Sequence, residues 1–282
     1  MTSLYISDLD GTLLSSEGKL SQYTIKTINN LIADGLQFTI ATARGIDSVE
    51  KILEPLDIEL PIILNNGLFI YDSKNKKVLG SHCIEKGMAL EIYGILIDYG
   101  IEPILRTKVG NSFKLCYNKL QNNTIEEFIN DKKKSKGIEC IESKKIKYDD
   151  SKILSIFTLG SKEKLKDAAK FLISKYNLGI DFYKDSYNDS YWLEINPLKA
   201  TKGEAALILK EEFSFNKIIC FGDNLNDLSM FRVSDWSYGM INGNLNIREH
   251  VSKIIGTNDE NSVVKEIEFI FLEEKNLYRQ IS

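Results

Sequence analysis

Two aspartates that follow a short apolar run constrain this chain more than any other feature. Residues 4–7 are typical of a buried strand, and Asp8-Leu9-Asp10-Gly11-Thr12 follows directly. Carboxylates are seldom fully buried, and two of them placed two residues apart repel each other unless a cation or a shared proton offsets the repulsion. The motif therefore predicts that the strand ends at a metal-binding site in which one of the two carboxylates acts as a nucleophile.

Strands alternate with helices in the early part of the chain, which is the pattern of a parallel sheet wrapped by helices. Apolar residues between positions 25 and 32 fall at helical spacing, and Gly35 follows where a glycine often ends a helix. Residues 38–41 and 62–64 are predicted to be the second and third strands, with a helix over 46–53 between them. The expected fold class is α/β, with a Rossmann-like parallel-sheet core.

The pattern changes over residues 82–189, where a different mixture of helices and strands interrupts the alternation. We expect this segment to be a separate α/β unit inserted into the first domain. Residues 1–81 and 190–282 would then form that first domain, and the run at 191–195 is predicted to return the chain to it. The lysine-rich stretch at 132–136 is predicted to be an exposed loop.

Composition indicates a globular protein with one large domain or two moderate ones. The chain has 282 residues, of which 43% are hydrophobic and 27% charged. No segment approaches the roughly 18 apolar residues of a membrane span, and the first residues lack the basic and apolar regions of a secretory signal. A net charge of −4 argues against nucleic-acid binding, which requires a basic surface. We therefore expect a cytoplasmic protein with neither a nucleic-acid nor a membrane partner.

Polar residues follow several of the predicted strands at the point where each strand ends. They are Asp8 and Asp10 after the first, Thr42 after the second, and Asp223 and Asp227 after a later one. Open α/β sheets bind ligands at this edge, and carboxylate and carbonyl oxygens suit Mg²⁺, which commonly accompanies phosphate. Lys202 adds a positive charge at a predicted helix start, where an anion is favoured. The set predicts a phosphoryl-transfer site.

Four motifs in order resemble the haloacid dehalogenase superfamily, and their spacing resembles its Cof-type branch of sugar-phosphate phosphatases. The motifs are Asp-Leu-Asp-Gly-Thr-Leu-Leu at 8–14, Ala41-Thr42-Ala43-Arg44, Lys202-Gly203 and Gly222-Asp223-Asn224-Leu225-Asn226-Asp227. That branch carries its cap between the second and third motifs. The resemblance therefore implies that residues 82–189 are an inserted α/β cap that governs substrate specificity, and that residues 1–81 and 190–282 form the catalytic core. The family usually has glycine where Ala43 stands, and alanine still permits a close backbone approach in most conformations.

The resemblance implies hydrolysis through an aspartyl-phosphate. Asp8 would attack phosphorus, and Asp10 would protonate the leaving alcohol and later take a proton from the hydrolytic water. Mg²⁺ would be held by Asp8, the backbone carbonyl of Asp10 and Asp223, with Asp227 acting on the metal indirectly. The groups that would hold the phosphoryl oxygens are the backbone amides near Leu9 and Ala43 and the side chains of Thr42, Lys202 and Asn226.

Two other functions stay open on the sequence. A phosphomutase or phosphotransferase shares this core and returns the phosphoryl group to a hydroxyl instead of water. A phosphosugar-sensing protein without turnover is the other, although the intact Asp10 argues against it. A dinucleotide-binding oxidoreductase would need a GxGxxG turn after the first strand, which is missing. We expect a Mg²⁺-dependent hydrolase of small phosphate monoesters, such as sugar phosphates, with a cap that closes over the site and an oligomeric state that the sequence leaves open.

Overall fold

The computed structural model divides by its internal contacts into two units. The first combines Met1–Gly80 with Thr201–Ser282, and the second is Ser81–Ala200. In the part of the chain that the structure describes, no helix combines the length and the apolar character that a bilayer span requires. The described residues are 2–110, 112–134, 138–142, 152–185 and 189–281.

Strands and helices are numbered in chain order. The first stretch contains β1 (Ser3–Ser7), α1 (Gln22–Ala33), β2 (Gln37–Ile40), α2 (Ile46–Leu53), β3 (Ile62–Leu64), β4 (Phe69–Asp72) and β5 (Lys77–Ser81). The middle stretch contains α3 (Lys86–Asp98), β6 (Ile104–Val109), β7 (Ser112–Tyr117), α4 (Asn123–Lys134), β8 (Ile138–Glu142), β9 (Lys152–Gly160), α5 (Lys162–Lys175), β10 (Gly179–Lys184) and β11 (Tyr191–Asn196). The last stretch contains α6 (Lys202–Glu212), β12 (Lys217–Gly222), α7 (Leu228–Val233), β13 (Trp236–Met240), β14 (Lys253–Ile255) and α8 (Ser262–Ile281).

A five-stranded parallel sheet forms the centre of the first unit, in the order β14-β13-β12-β1-β2. In β1, Leu4 lies opposite Ile218 of β12 on one side and Gln37 of β2 on the other. The parallel bridge between Ala41 and Ile63 extends this arrangement to β3, which then pairs antiparallel with β4. The predicted parallel-sheet core is confirmed.

The strands of this sheet are apolar on both faces because both faces are covered. Every residue of β1 is buried, as is usual for parallel strands between two layers of helices. Leu4 and Ile6 belong to a core cluster that includes Leu209 of α6, whereas the Tyr5 ring meets Phe271 of α8 edge to face at 6.5 Å. Each such side chain contributes about 1.5–3 kcal/mol by leaving water. Helices on both faces leave the carboxyl ends of the strands as the place for polar groups.

The second unit is a six-stranded sheet in the order β10-β11-β9-β6-β7-β8, mostly antiparallel. Residues of α3 and α5 form one apolar cluster with the sheet. Residues of α4 form another, which includes Ile125, Ile129 and Phe157. This unit is thus an α/β structure with its own cores, as the segment was expected to be.

Two predictions about the middle of the chain are wrong. Residues 191–195 do not return to the parallel sheet, because β11 lies between β9 and β10, with Trp192 opposite Leu159 and Tyr183. A short apolar run reads alike in either sheet, and only its long-range partner decides. Lys132, Lys133 and Lys134 are not in a loop either: they end α4, where positive charge suits the carboxyl end of a helix. Residues 135 and 136 lie outside the described part.

Candidate active site

Three of the four acidic side chains predicted to share a site lie together at the carboxyl edge of the parallel sheet. Asp8 follows β1, and its backbone N–H donates to the Phe221 carbonyl at 2.9 Å, which places it beside the end of β12. One carboxylate oxygen from each of Asp8, Asp223 and Asp227 lies within 4.8 Å of the other two. Parallel pairing of β1 with β12 therefore builds one acidic cluster from two distant parts of the sequence.

The loop after Asp8 passes directly over Asp223. Gly11 adopts a φ of 73°, a left-handed conformation that glycine adopts without strain. A Cβ atom at Gly11 would lie only 2.5 Å from Asp223 Oδ2. The next residue, Thr12, donates through Oγ1 to Asp223 Oδ1 at 2.8 Å. The Asp-Gly-Thr sequence thus lets the loop approach this carboxylate closely and fixes its orientation.

Lys202 is the fully buried cation of the cluster, with no exposed surface. It is the first residue of α6, whose preceding Thr201 caps the helix by accepting from Glu204 N. Its Nζ lies 2.8 Å from Asp8 Oδ1 and 2.6 Å from Asp227 Oδ1. Burial alone would lower the pKa of Lys202, but the charges of Asp227 and Asp8 raise it above its ordinary value. This ammonium group therefore stays charged and holds the two carboxylates together.

Asp227 is also fully buried, and both of its oxygens accept hydrogen bonds. Oδ1 accepts from Lys202, while Oδ2 accepts from the backbone N–H groups of Asp223 and Asn224 at 2.9 and 3.0 Å. A buried carboxylate needs such partners to offset its desolvation. Asp227 therefore fixes both Lys202 and the loop that carries Asp223, while its predicted part in metal binding stays a prediction.

When all of its carboxyl groups are ionised, the cluster carries more negative than positive charge. Burial raises the pKa of Asp8 to about 8, with Lys202 opposing the shift and Asp227 adding to it. Burial and the charge of Asp227 raise the pKa of Asp223 to about 6, against the hydrogen bond from Thr12. With all three carboxylates ionised, one ammonium group leaves two negative charges. The metal-free fold offsets them by keeping protons on Asp8 and Asp223, and a divalent cation would offset them in place of those protons. Because the donors are hard oxygen atoms, the residues present fit a divalent ion such as Mg²⁺.

The side chain of Asp10 lies outside the acidic cluster and pairs with Arg44. The guanidinium donates from Nε to Oδ2 at 2.7 Å and from Nη2 to Oδ1 at 2.6 Å. Two parallel bonds of this kind give a directional, charge-assisted pair. The sequence did not predict this pair, although Arg44 stands in the same motif as Thr42.

The residues predicted to bind phosphate all belong to the first unit. Thr42 is fully buried, and its Oγ1 accepts from Arg44 N at 3.1 Å, which leaves the hydroxyl proton for an acceptor such as phosphate. Leu9 is buried, whereas Ala43 and Asn226 are exposed. Lys202 is tied to two carboxylates of the acidic cluster. Their contacts with phosphate stay predictions.

Sequence reasoning missed Asn242, which fixes the loop that carries the first motif. Its Nδ2 donates to the Gly11 carbonyl at 2.9 Å, and its Oδ1 accepts from Asn258 N at 3.2 Å. Asn258 in turn donates through Nδ2 to the Leu14 carbonyl at 2.8 Å. The Asn-Gly pair at 242–243, two residues after the end of β13, was the available signal, because such pairs mark turns.

Comparison with known proteins gives relatives over almost the full length of the chain. One relative is a protein of Buchnera aphidicola subsp. Baizongia pistaciae that is named as an inferred phosphatase. It is 29% identical over 97% of this chain and 100% of its own length. The 5-amino-6-(5-phospho-D-ribitylamino)uracil phosphatase YwtE of Bacillus subtilis is 26% identical over 91% of this chain and 93% of its own.

A solved structure and a family description agree with these relatives. The structure titled as the HAD subclass IIB sugar phosphatase BT4131 superposes with a TM-score of 0.69 at 18% identity, covering 96% of this chain and 99% of that one. At this identity the likeness shows the fold alone. The family described as haloacid dehalogenase-like hydrolase matches residues 5–267. The resemblance of the four motifs is thereby confirmed, and the chain is a phosphatase that belongs to the haloacid dehalogenase-like hydrolase family.

Proposed function

We propose that this phosphatase hydrolyses small phosphate monoesters in two steps, with Mg²⁺ as its cofactor and Asp8 as the nucleophile. The observation that carries the proposal is the environment of Asp8. It is buried at the end of β1, held by Lys202 at 2.8 Å, and clustered with Asp223 and Asp227. A carboxylate fixed in this way can attack a group bound at the sheet edge, and covalent catalysis divides one difficult displacement into two easier ones.

In the first step, an Asp8 carboxylate oxygen forms a bond to phosphorus while the bond from phosphorus to the ester oxygen breaks. Asp10 supplies a proton to the departing alkoxide. Both Asp10 oxygens accept from Arg44 in the free protein, so Asp10 has to part from this guanidinium to act. When bound, Mg²⁺ would be held by Asp8, the Asp10 carbonyl and Asp223, and would offset the repulsion between carboxylate and phosphate.

In the second step, a water oxygen forms a bond to phosphorus while the bond from phosphorus to the Asp8 oxygen breaks. This releases phosphate and the Asp8 carboxylate, and Asp10 takes a proton from the attacking water. Thr42, Lys202 and Asn226, with the amides near Leu9 and Ala43, hold the phosphoryl oxygens in both steps. Lys202 suits this part because its ammonium group stays charged and cannot move away from Asp8 and Asp227. Charge held in place before the reaction lowers the barrier more than charge that must reorganise. Asp227 would support the metal indirectly.

The substrates we propose are sugar phosphates or similar phosphorylated metabolites. A structural neighbour is titled a sugar phosphatase, and two Bacillus subtilis relatives are named for a phosphorylated ribitylaminouracil. The second unit, Ser81–Ala200, would form the cap that selects the leaving group. We expect these substrates to be cytoplasmic metabolites, in line with the location expected for the protein.

A panel of phosphate esters tests the proposal. We expect the purified protein to release phosphate from sugar phosphates in the presence of Mg²⁺ and to lose this activity in a chelator. The panel includes the ribitylaminouracil phosphate, and product analysis in the presence of acceptor sugars separates hydrolysis from phosphoryl transfer. Release of phosphate from none of the esters, or equal rates without a divalent ion, contradicts the proposal.

Substitution of Asp10 should trap the covalent state. In Asp10→Asn the amide can neither protonate the leaving group nor take a proton from water, so we expect kcat to fall about 10²–10³-fold. The leaving group of p-nitrophenyl phosphate needs no proton. With this substrate we expect rapid-quench experiments to show a burst of p-nitrophenolate followed by slow phosphate release. Asp57→Asn, at an exposed position, is the matched control. Equal loss with all leaving groups and no burst would show that Asp10 has another role.

The pH dependence of metal binding follows from the raised pKa values of Asp8, about 8, and Asp223, about 6. Between about pH 4 and pH 8 these carboxyls keep protons in the metal-free fold that the unfolded chain has lost, so metal-free stability falls as pH rises. Mg²⁺ must displace the protons. We expect the rise in Tm caused by a fixed Mg²⁺ concentration to be larger at about pH 8 than at about pH 6. A Mg²⁺-induced rise in Tm that is the same at both pH values contradicts this. In Asp223→Asn, the part of the pH dependence that comes from the Asp223 carboxyl group should be absent.

A further inference from the structure

A turn at Asn65–Gly67 has an uncommon backbone conformation. Its three residues have φ values of 48°, 55° and 94°. Two of them are asparagines, which tolerate the left-handed region better than other residues but still adopt it rarely. Strained conformations of this kind persist when the surrounding structure holds them, and they concentrate at functional sites. The contacts of this turn therefore need an explanation.

The turn is bonded to the loop that carries Thr42. The Asn66 N–H donates to the Thr42 carbonyl at 2.9 Å, and the Asn65 N–H donates to the Arg44 carbonyl at 3.0 Å. Gly67 lies against the start of α6, because a Cβ atom there would be 2.1 Å from the Thr201 carbonyl oxygen. Only glycine permits this approach. The turn thus meets both the loop after β2 and the residue that precedes Lys202.

The Asn66 side chain reaches a third part of the site. Its Oδ1 accepts from Asn226 Nδ2 at 3.0 Å. Asn226 lies in the short helical turn Leu225–Asp227 after β12, and it is exposed. A carboxamide nitrogen carries two N–H groups in one plane, so a bond that fixes one of them also fixes the direction of the other. The second N–H is then available to a phosphoryl oxygen.

We propose that Asn66 is a positioning residue of this phosphatase, which holds the Asn226 amide in the orientation that donates to the phosphoryl group. This inference rests on the proposed function for the phosphate-binding part of Asn226. The left-handed backbone of Asn66 is the conformation in which its N–H bonds Thr42 while its side chain bonds Asn226. The backbone strain is thus coupled to the alignment of two loops, one after β2 and one after β12, the strands on either side of β1.

Asn66→Gly separates this role from a purely structural one. Glycine favours the left-handed conformation, so the fold should be kept and Tm should be equal or higher, whereas the bond to Asn226 is lost. We expect kcat/KM to fall about 3–10-fold, the factor for one hydrogen bond. Asn226→Ala should cost at least as much, and the double variant should be no worse than Asn226→Ala alone. Independent, multiplying losses would overturn the inference.

Asn65→Gly is the matched control, because it relaxes the neighbouring left-handed residue of the same turn and leaves Asn66 in place. We expect kcat/KM within about twofold of the unchanged protein, as for a substitution that touches no shared partner. A loss equal to that of Asn66→Gly would show that the turn backbone, and not the Asn66 amide, is responsible, and would refute the positioning role.

Binding of orthovanadate, a phosphate analogue, gives a second readout that needs no turnover. Calorimetry in the presence of Mg²⁺ should show weaker binding to Asn66→Gly by the same factor as kcat/KM. A protein that binds orthovanadate but hydrolyses none of the esters would disprove the proposed function and leave the role of Asn66 standing. Equal affinity of Asn66→Gly and the unchanged protein for orthovanadate would disprove the role of Asn66. Absence of orthovanadate binding to the unchanged protein would disprove it as well.

Discussion

Asp8→Asn is expected to abolish hydrolysis of every phosphate ester that the unchanged protein accepts. The amide that replaces the carboxylate is neutral, and its oxygen is too weak a nucleophile to form the covalent bond to phosphorus. Loss of a nucleophile in a two-step mechanism costs about 10⁴-fold or more in kcat. Steady-state phosphate release, measured with enough enzyme to detect this residual rate, tests the expectation.

The same variant should fold at least as well as the unchanged protein without metal. The raised pKa of Asp8 shows that its ionised form is disfavoured by burial and by Asp227, so a neutral side chain of the same shape relieves that penalty. An unchanged or higher Tm would therefore exclude unfolding as the cause of inactivity. Asp57→Asn again serves as the exposed control. Turnover near the normal rate would mean that another group attacks phosphorus.

Lys202→Met should destabilise the fold more than any other single substitution in the acidic cluster. Methionine fills a similar volume but leaves Asp8 and Asp227 buried without their cation. Removing one partner of a buried ion pair costs about 3–5 kcal/mol. Urea unfolding measures this free energy. Hydrolysis should be lost as well, because the fixed positive charge at the phosphoryl site is removed.

Two further variants decide whether the loss comes from the buried charges. Lys210→Met removes a lysine from the same helix whose Nζ lies 3.6 Å from Asp235 at a partly exposed position, and it should cost less than about 1 kcal/mol. Adding Asp8→Asn to Lys202→Met should restore part of the lost stability, since one unpaired carboxylate disappears. A double variant no more stable than Lys202→Met would assign the loss to packing instead.

The parallel core could be predicted from the sequence because its strands are continuous apolar runs that end in polar residues. Residues 4–7 and 218–221 show this pattern, and both strands stand where expected. The placement of β11 could not be predicted, since the residue pattern of Tyr191–Asn196 suits a strand of either sheet. Only its pairing with β9 and β10 in the structure shows which sheet it joins. The β4–β5 hairpin was also missed, because its turn at 73–76 lacks a strong glycine signal.

Within the site, the sequence identified the residues but not their contacts. Motif order predicted that Asp8, Asp223 and Asp227 would meet, and they do. The pairing of Asp10 with Arg44 depends on side-chain rotamers, and that of Asn66 with Asn226 depends on a left-handed backbone residue. Neither of these leaves a periodic signature in the sequence. Contacts of this kind therefore become visible only in the structure.

The pairing of β1 with β12 affects how this protein folds during its synthesis on the ribosome. Leu4 meets its neighbour Ile218 only after most of the chain has been made, and such distant pairings form slowly. The second unit closes all of its pairings within Ser81–Ala200 and can acquire its structure during synthesis. Until β12 emerges, the edge of β1 that faces away from β2 stays unpaired, and an unpaired strand edge can pair with other chains. A chain truncated before Asp223 would consequently lack the acidic cluster altogether.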